Sequence, residues 1–194
     1  MSENVSHRIL AEYAYQASPV ERGYTGQTLY VNLSTNEIVD KPVTEVMKKK
    51  FIGGRGFGLW LLWQGVNDDT QWDDAENEIV ISSGPCGGIT QYPGAGKSLV
   101  VTISPLTNIV VDSNVGGHFG PLLKFAGWDA IELQGEAQQD VIVFIDGVSG
   151  RVTIEEAPQV PVDTHLVGHW LIEQMAESEQ DRYWMSSVSA GRGA

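Results

Sequence analysis

Cysteine is nearly missing from this chain: Cys86 is the single one among 194 residues. One thiol makes no internal disulfide. No Cys-x-x-Cys or Cys/His cluster is present to hold zinc or an iron–sulfur cluster. Long apolar runs are lacking as well, and none approaches the ~18–20 residues of a membrane helix. The N-terminal MSENVSHRILAEYAYQ has no basic start leading into an apolar core, so it does not read as a secretory signal. The expectation is a reduced, cytoplasmic protein with no membrane span. Positive charge is scarce too, with 12 Lys and Arg against 25 Asp and Glu and a formal net charge of −13. Such a field repels nucleic acid and anionic membrane surfaces, so neither is an expected partner. It serves solubility and still leaves room for a local cationic pocket that binds phosphate.

What is present is apolar residues at 42%, enough for a sizeable core, and 22 glycines, which point to many turns. The length suits one domain or slightly more. Residues 1–22 read as an N-terminal extension without a clear period, with Tyr13 and Tyr15 available to pack on the body. YTGQTLYVNL (24–33) and EIVDKPV (37–43) read as strands around a Ser-Thr-Asn turn. Thr44 is placed to cap a short helix reaching Lys50. Gly53–Gly58 reads as a loop, followed by a helix or buried segment over Leu59–Trp63. Asp68–Glu78 reads as a polar loop. Further strands are expected at 79–84, 98–104, 108–113, 129–135, 140–146 and 151–157, with a short helix inside 118–128. Residues 164–180 read as an amphipathic helix with Leu166, Trp170, Leu171 and Met175 on one face. YWMSSVSAGRGA reads as a final strand running into a glycine turn. The His165/His169 pair shares a helix face but lacks the Glu of a zinc-protease motif, and is read as surface.

The most informative stretch is residues 84–135. Gly94 and Gly96 lie beside Lys97, and Gly116, Gly117 and Gly120 lie beside Asp112, Ser113 and Asn114. Glycine lets a backbone approach a ligand closely. Two such clusters on consecutive strand–turn units suggest a surface that touches something flat and anionic. PGAGKS (93–98) is not a P-loop: the pattern requires Gly where Gln91 stands, and a strand rather than a helix follows. GGRGFGL (53–59) is not a dinucleotide fingerprint, because Leu59 occupies the third glycine position. Arg55 reads instead as a cation on a close-approach backbone, or as an ordinary surface residue in a tight turn. Asn114 and Gly116–Gly117 would offer carbonyls and amides to a ligand or to a hard cation such as Mg²⁺. His118 is a site residue or a packing residue, and Asp112 a site group or an Asx-turn residue.

The order of motifs GYTGQTLYVNLSTNEI (23–38), FIGGRGFGLWLL (51–62), ENEIVISSGPCGG (76–88), PGAGKSLVVTISPLTN (93–108) and DSNVGGHFGPLLKFAGWDAIELQGEA (112–137) resembles the N-terminal domain of the aldehyde ferredoxin oxidoreductase family. The resemblance covers about residues 23–194 and ends before the family's downstream domains. It implies an α+β fold: a β-rich, two-sheet domain with a few short helices, forming the base for a tungsten (or molybdenum) bis-pyranopterin whose phosphates are joined through Mg²⁺. By position, Lys97 stands where the family usually has a pterin-contacting Arg. Asn114 stands at the carbonyl linked to Mg²⁺, and Gly116 at a backbone pterin contact. Arg55 and Gly56 lie in the family's GGRG loop. With Gly117 and His118 these make up the candidate cofactor-binding set; no catalytic residue is assigned.

Two departures matter. Lys at 97 loses the bidentate geometry of Arg, and GPCGG stands for the family's usual GPLTG, so Cys86 is peculiar to this chain. The cluster cysteines and acid–base groups of the family lie further along. The resemblance therefore implies a component, inactive alone, that a second polypeptide carrying the downstream domains and a 4Fe-4S cluster would complete. The whole would oxidise aldehydes to carboxylic acids and pass electrons to a ferredoxin-like acceptor. The alternative is a non-catalytic cofactor-binding or assembly module.

Overall fold

The computed structural model describes residues 7–157, 161 and 163–189. Nine strands and four helices follow one another as β1 (Ile9–Ala14), β2 (Gln27–Asn32), β3 (Glu37–Pro42), α1 (Glu45–Phe51), α2 (Arg55–Gly65), β4 (Glu78–Ser83), β5 (Ser98–Ile103), β6 (Val110–Val115), α3 (Phe119–Phe125), β7 (Ala130–Gln134), β8 (Val141–Asp146), β9 (Arg151–Glu156) and α4 (Thr164–Met175). The fold is α+β with two sheets. A six-stranded sheet runs β3-β2-β7-β4-β5-β6, and a three-stranded sheet runs β1-β9-β8. β2 pairs with β7 in parallel, and every other pairing is antiparallel.

Side-chain alternation along the strands divides the core into two halves. Leu29, Val31, Ile81 and Ile131 point to one face of the large sheet, where they meet Trp128, Leu123 and the small sheet's Val152 and Ile154. Val80, Val101 and Ala130 point to the other, where Phe57, Leu61 and Leu62 of α2 and Met47 of α1 cover them. Trp128 is fully buried and packs against the ring of Tyr15, 4.6 Å between centroids.

Within the stretch expected as an N-terminal extension, the described residues include a strand. Ile9–Ala14 forms β1 and pairs with β9, because Ile, Ala and Tyr there supply an apolar side to the small sheet. The 37–43 strand is present as β3, and Thr44 caps α1 by accepting the Met47 N–H at 3.2 Å. α2 starts at Arg55, four residues ahead of the expected Leu59, since Gly54 at φ +50 turns the chain into the helix. In α4 the buried residue is Val167, while Leu166 is 59% exposed. Asp163 caps that helix by accepting the His165 N–H, and both His165 and His169 are exposed. The expected strand after residue 182 is replaced by a 3-10 turn at Asp181–Trp184 and irregular chain to residue 189; residues 190–194 of that segment lie outside the described ones.

One ionic device holds the turn before β2. Lys124 and Asp129 form an ion pair that is almost wholly buried. The Asp129 carboxylate also accepts the N–H groups of Thr25 and Gly26, and Lys124 Nζ donates to the Gly23 carbonyl at 3.0 Å. Every charge in the cluster is met by a partner, as burial requires.

Candidate functional site

β5 and β6 are antiparallel neighbours, with Ser98 opposite Val115 and Leu99 opposite Asn114. This register brings the two glycine clusters side by side at one end of the sheet. A Cβ placed on Gly96 would stand 2.8 Å from the Gly117 carbonyl oxygen, and one on Gly116 would stand 3.6 Å from Lys97 Nζ. Lys97, Asn114, Gly116, Gly117 and His118 are all exposed there. Gly94 and Gly117 take φ of +91° and +92°, with no atom within 4 Å of a Cβ position, so bare backbone faces open space at both. Among the described residues Lys97 makes no ion pair, which leaves its ammonium available to an anion. Beneath the loops the hydroxyls of Ser83 and Ser98 lie opposite each other across β4 and β5, buried and without a hydrogen-bond partner.

α2 begins beside this ledge. Gly54 donates its N–H to the Ser83 carbonyl at 3.1 Å and comes close to Leu99. The Arg55 side chain crosses to β6, where its Nε and Nη2 donate to Asp112 Oδ2 at 3.0 and 2.8 Å. Part of that cation is therefore spent on the protein's own carboxylate, and Asp112 is an ion-pair partner rather than an Asx-turn residue. Gly56 has a packing duty: a Cβ there would overlap the Phe51 carbonyl oxygen at 2.2 Å. His118 precedes α3 and makes no capping bond. The structure thus gathers Lys97, Gly116, Gly117, Asn114 and His118 on one ledge and sets Arg55 at its border.

A second polar locus escapes the sequence reading. At the other end of α2, Tyr30, Lys41, Leu61, Gln64, Gly65, Glu78, Glu132 and Gln134 line a cavity of about 250 Å³. Glu78 is the first residue of β4, not the end of a polar loop, and is fully buried. Burial first, and then the neighbouring Glu132 carboxylate, push its pKa up to about 8 against a smaller opposing pull from Lys41. The signal available in sequence is an acid within each of two otherwise apolar strands, ENEIVIS and DAIELQ.

The family model for the N-terminal domain of aldehyde ferredoxin oxidoreductase matches residues 28–192. The tungsten-containing aldehyde ferredoxin oxidoreductase of Pyrococcus horikoshii is 39% identical over 71% of this chain and 22% of that protein. Its namesake in Thermococcus kodakarensis is 40% identical over 82% of this chain and 25% of that protein. The WOR-like subunit of an aliphatic sulfonate oxidoreductase from Pyrococcus furiosus is 37% identical over 63% of this chain. Among solved structures, the active-site complex BamBC of benzoyl coenzyme A reductase superposes with a TM-score of 0.65 at 29% identity, over 70% of this chain and 20% of that one. The chain thus spans a quarter or less of the length of these relatives.

Proposed function

This chain belongs to the aldehyde ferredoxin oxidoreductase family through its N-terminal domain, and on that premise we propose that it is the cofactor-binding base of a tungsten (or molybdenum) bis-pyranopterin oxidoreductase. The observation that carries the reading is the ledge at the β5–β6 end. There Lys97, without an ion pair among the described residues, stands beside two stretches of glycine backbone that are open at Gly94 and Gly117. A flat group bearing phosphates fits that chemistry. Lys97 would meet a phosphate as a point charge. Gly116 and Gly117 would present backbone groups to the ring system, and the Asn114 carbonyl would serve the Mg²⁺ that links the phosphates. Bound there, the metal supplies two-electron redox chemistry, and the chain supplies position and charge.

Arg55 has a supporting role in this reading. Held by Asp112, it keeps its remaining donors at the border of the ledge and stiffens the start of α2. Gly56 contributes by allowing α1 and α2 to meet closely. His118 lies next to the glycine pair and is a candidate donor to the ligand.

The reaction of the assembled enzyme is proposed as aldehyde and water giving carboxylic acid, two protons and two electrons. A 4Fe-4S cluster carried elsewhere would take the electrons on to a ferredoxin-like acceptor, in a reduced cytoplasmic setting. Completion by a further polypeptide portion is part of the proposal, supported by relatives four to five times as long as their matched region. The sulfonate and benzoyl coenzyme A relatives are named for other substrates. Aldehyde is favoured because the family model and the Thermococcus kodakarensis relative are named for that activity.

The test is native purification followed by identification of co-eluting chains and metal analysis. Co-elution with a cluster-bearing polypeptide and with tungsten or molybdenum is expected, with metal content at least several-fold lower in Lys97→Ala. Full metal content in that variant would remove Lys97 from the site. Elution alone and metal-free would favour the non-catalytic binding or assembly module.

A further inference from the structure

The cavity at the C-terminal end of α2 lies away from the glycine ledge and has its own charge logic. Glu132 on β7 is nearly fully buried and well satisfied: Oε1 accepts from Thr28 Oγ1 at 2.7 Å, and Oε2 from Lys41 Nζ at 2.6 Å. Lys41, on β3, also rests over the Tyr30 ring, 4.0 Å from its centroid. Gln134 donates to the carbonyls of Gly65 and Glu76, and its own oxygen accepts from Tyr30. The exception is Glu78. It is 0% exposed, lines the cavity, and has no hydrogen-bond partner at either carboxylate oxygen among the described residues.

An unpartnered buried carboxyl is expensive. The lining is also unbalanced, with two carboxylates facing one ammonium. The last turn of α2 brings no charge of its own but directs the negative end of its dipole to the same place. Gly65 in that turn makes room for the acid, since a Cβ there would stand 2.1 Å from Glu78 Oε2. The cavity offers acceptors and lacks one positive donor.

We propose that this cavity is a binding site for an ammonium- or guanidinium-type cation, held between the carboxylates of Glu78 and Glu132. Glu78 binds it ionised and supplies two free acceptors, while Glu132 contributes its remaining lone pairs and keeps its bond to Lys41. At about 250 Å³ the space exceeds the ~30 Å³ share of one water and admits a small cation with a few waters. The cation is either a free small molecule or an Arg or Lys side chain from another stretch of polypeptide; both present the same head group. The groups facing Glu78 that bear on pH are Glu132 on β7, Lys41 on β3 and Tyr30 on β2.

The 194-residue chain, carrying ¹³C at its Glu side-chain carboxyls, is titrated with methylguanidinium at pH 7 and pH 9. The expected result is a shift of the Glu78 carboxyl carbon, with Kd about tenfold lower at pH 9. That factor follows because roughly a tenth of Glu78 is ionised at pH 7 when its pKa is about 8. Glu78→Gln is expected to abolish binding and its pH dependence. N-acetyl-arginine amide is the second probe. Binding of both probes supports a side chain from another polypeptide as occupant, and binding of methylguanidinium alone supports a free small cation. A Glu78 carbon unmoved at pH 9 by millimolar methylguanidinium overturns the proposal, and so does unchanged binding in Glu78→Gln. The wild-type carbon signal decides the matter even if that variant folds poorly. Neither readout involves the ledge, so a failure here leaves the cofactor reading untouched.

Discussion

The two ends of α2 solve opposite electrostatic problems. At its start, exposed glycine backbone and Lys97 stand open to solvent, and the positive end of the helix dipole adds to their field. At its finish, eleven residues and about 16 Å away, two acidic side chains are buried under the helix beside the negative end of the same dipole. The first end has cationic character; the second holds two acids and one ammonium in low dielectric. The contrast shows that a chain with a net charge of −13 distributes its few cations by position. Lys41 neutralises a buried acid and Arg55 a half-buried one, while Lys97 pairs with no acid among the described residues.

The contrast is sharpest under pH. Glu78 in the folded chain holds its proton up to about pH 8, whereas unfolded it would release it near the ordinary value of 4.5. The folded state binds more protons between those values, so stability is full below about pH 4.5 and falls as pH rises towards 8. The loss is on the order of a few kcal/mol. Glu78→Gln should flatten that slope and raise the urea midpoint at pH 8, with little change near pH 4.5. Parallel pH slopes for both proteins would mean that Glu78 is already paired. Gly65→Ala comes next: it gains up to about 1 kcal/mol of helix propensity, but overlap with the Glu78 carboxyl should cost more, about 1–3 kcal/mol net, read by the same denaturation. On the opposite end of the helix, Gly117→Val forces a β-branched residue to φ +92°. It should cost about 1–2 kcal/mol of stability, and lower metal content in the assembled protein. Smallest of all, Arg55→Ala removes an exposed ion pair and should shift stability by less than about 1 kcal/mol. A larger loss would show that the Arg55–Asp112 contact organises the ledge rather than decorating it.

Sequence legibility followed the same divide. The strands around 24–43 and 79–157 are readable because alternation and glycine turns are local properties, and the ledge is readable because glycine, lysine and asparagine sit close together along the chain. β1 was not readable. Its six residues become a strand only when β9, far along the chain, offers an edge. The start of α2 was hidden because glycines at 53, 54 and 56 signal a loop, whereas the structure uses two of them for the turn and the third for close packing against Phe51. Leu166 was assigned to the buried face on helical period alone, and the docking of α4 selected Val167 instead. Glu78 looked like the last residue of an acidic loop, and only the pairing of β4 with β7 carries it beneath α2, near Glu132.

The small sheet has a further consequence, for synthesis on the ribosome. Ala14 pairs with Arg151, and the whole of β1 lies against β9. Translation at ~5–20 residues per second separates the emergence of these two strands by roughly 7–27 s. For that interval ILAEYA is an apolar strand without its neighbour, while β2 likewise waits for β7 to complete the centre of the large sheet. The nascent chain therefore passes through a long stage in which neither sheet can close, with β1 exposed as an unpaired strand that a chaperone can bind.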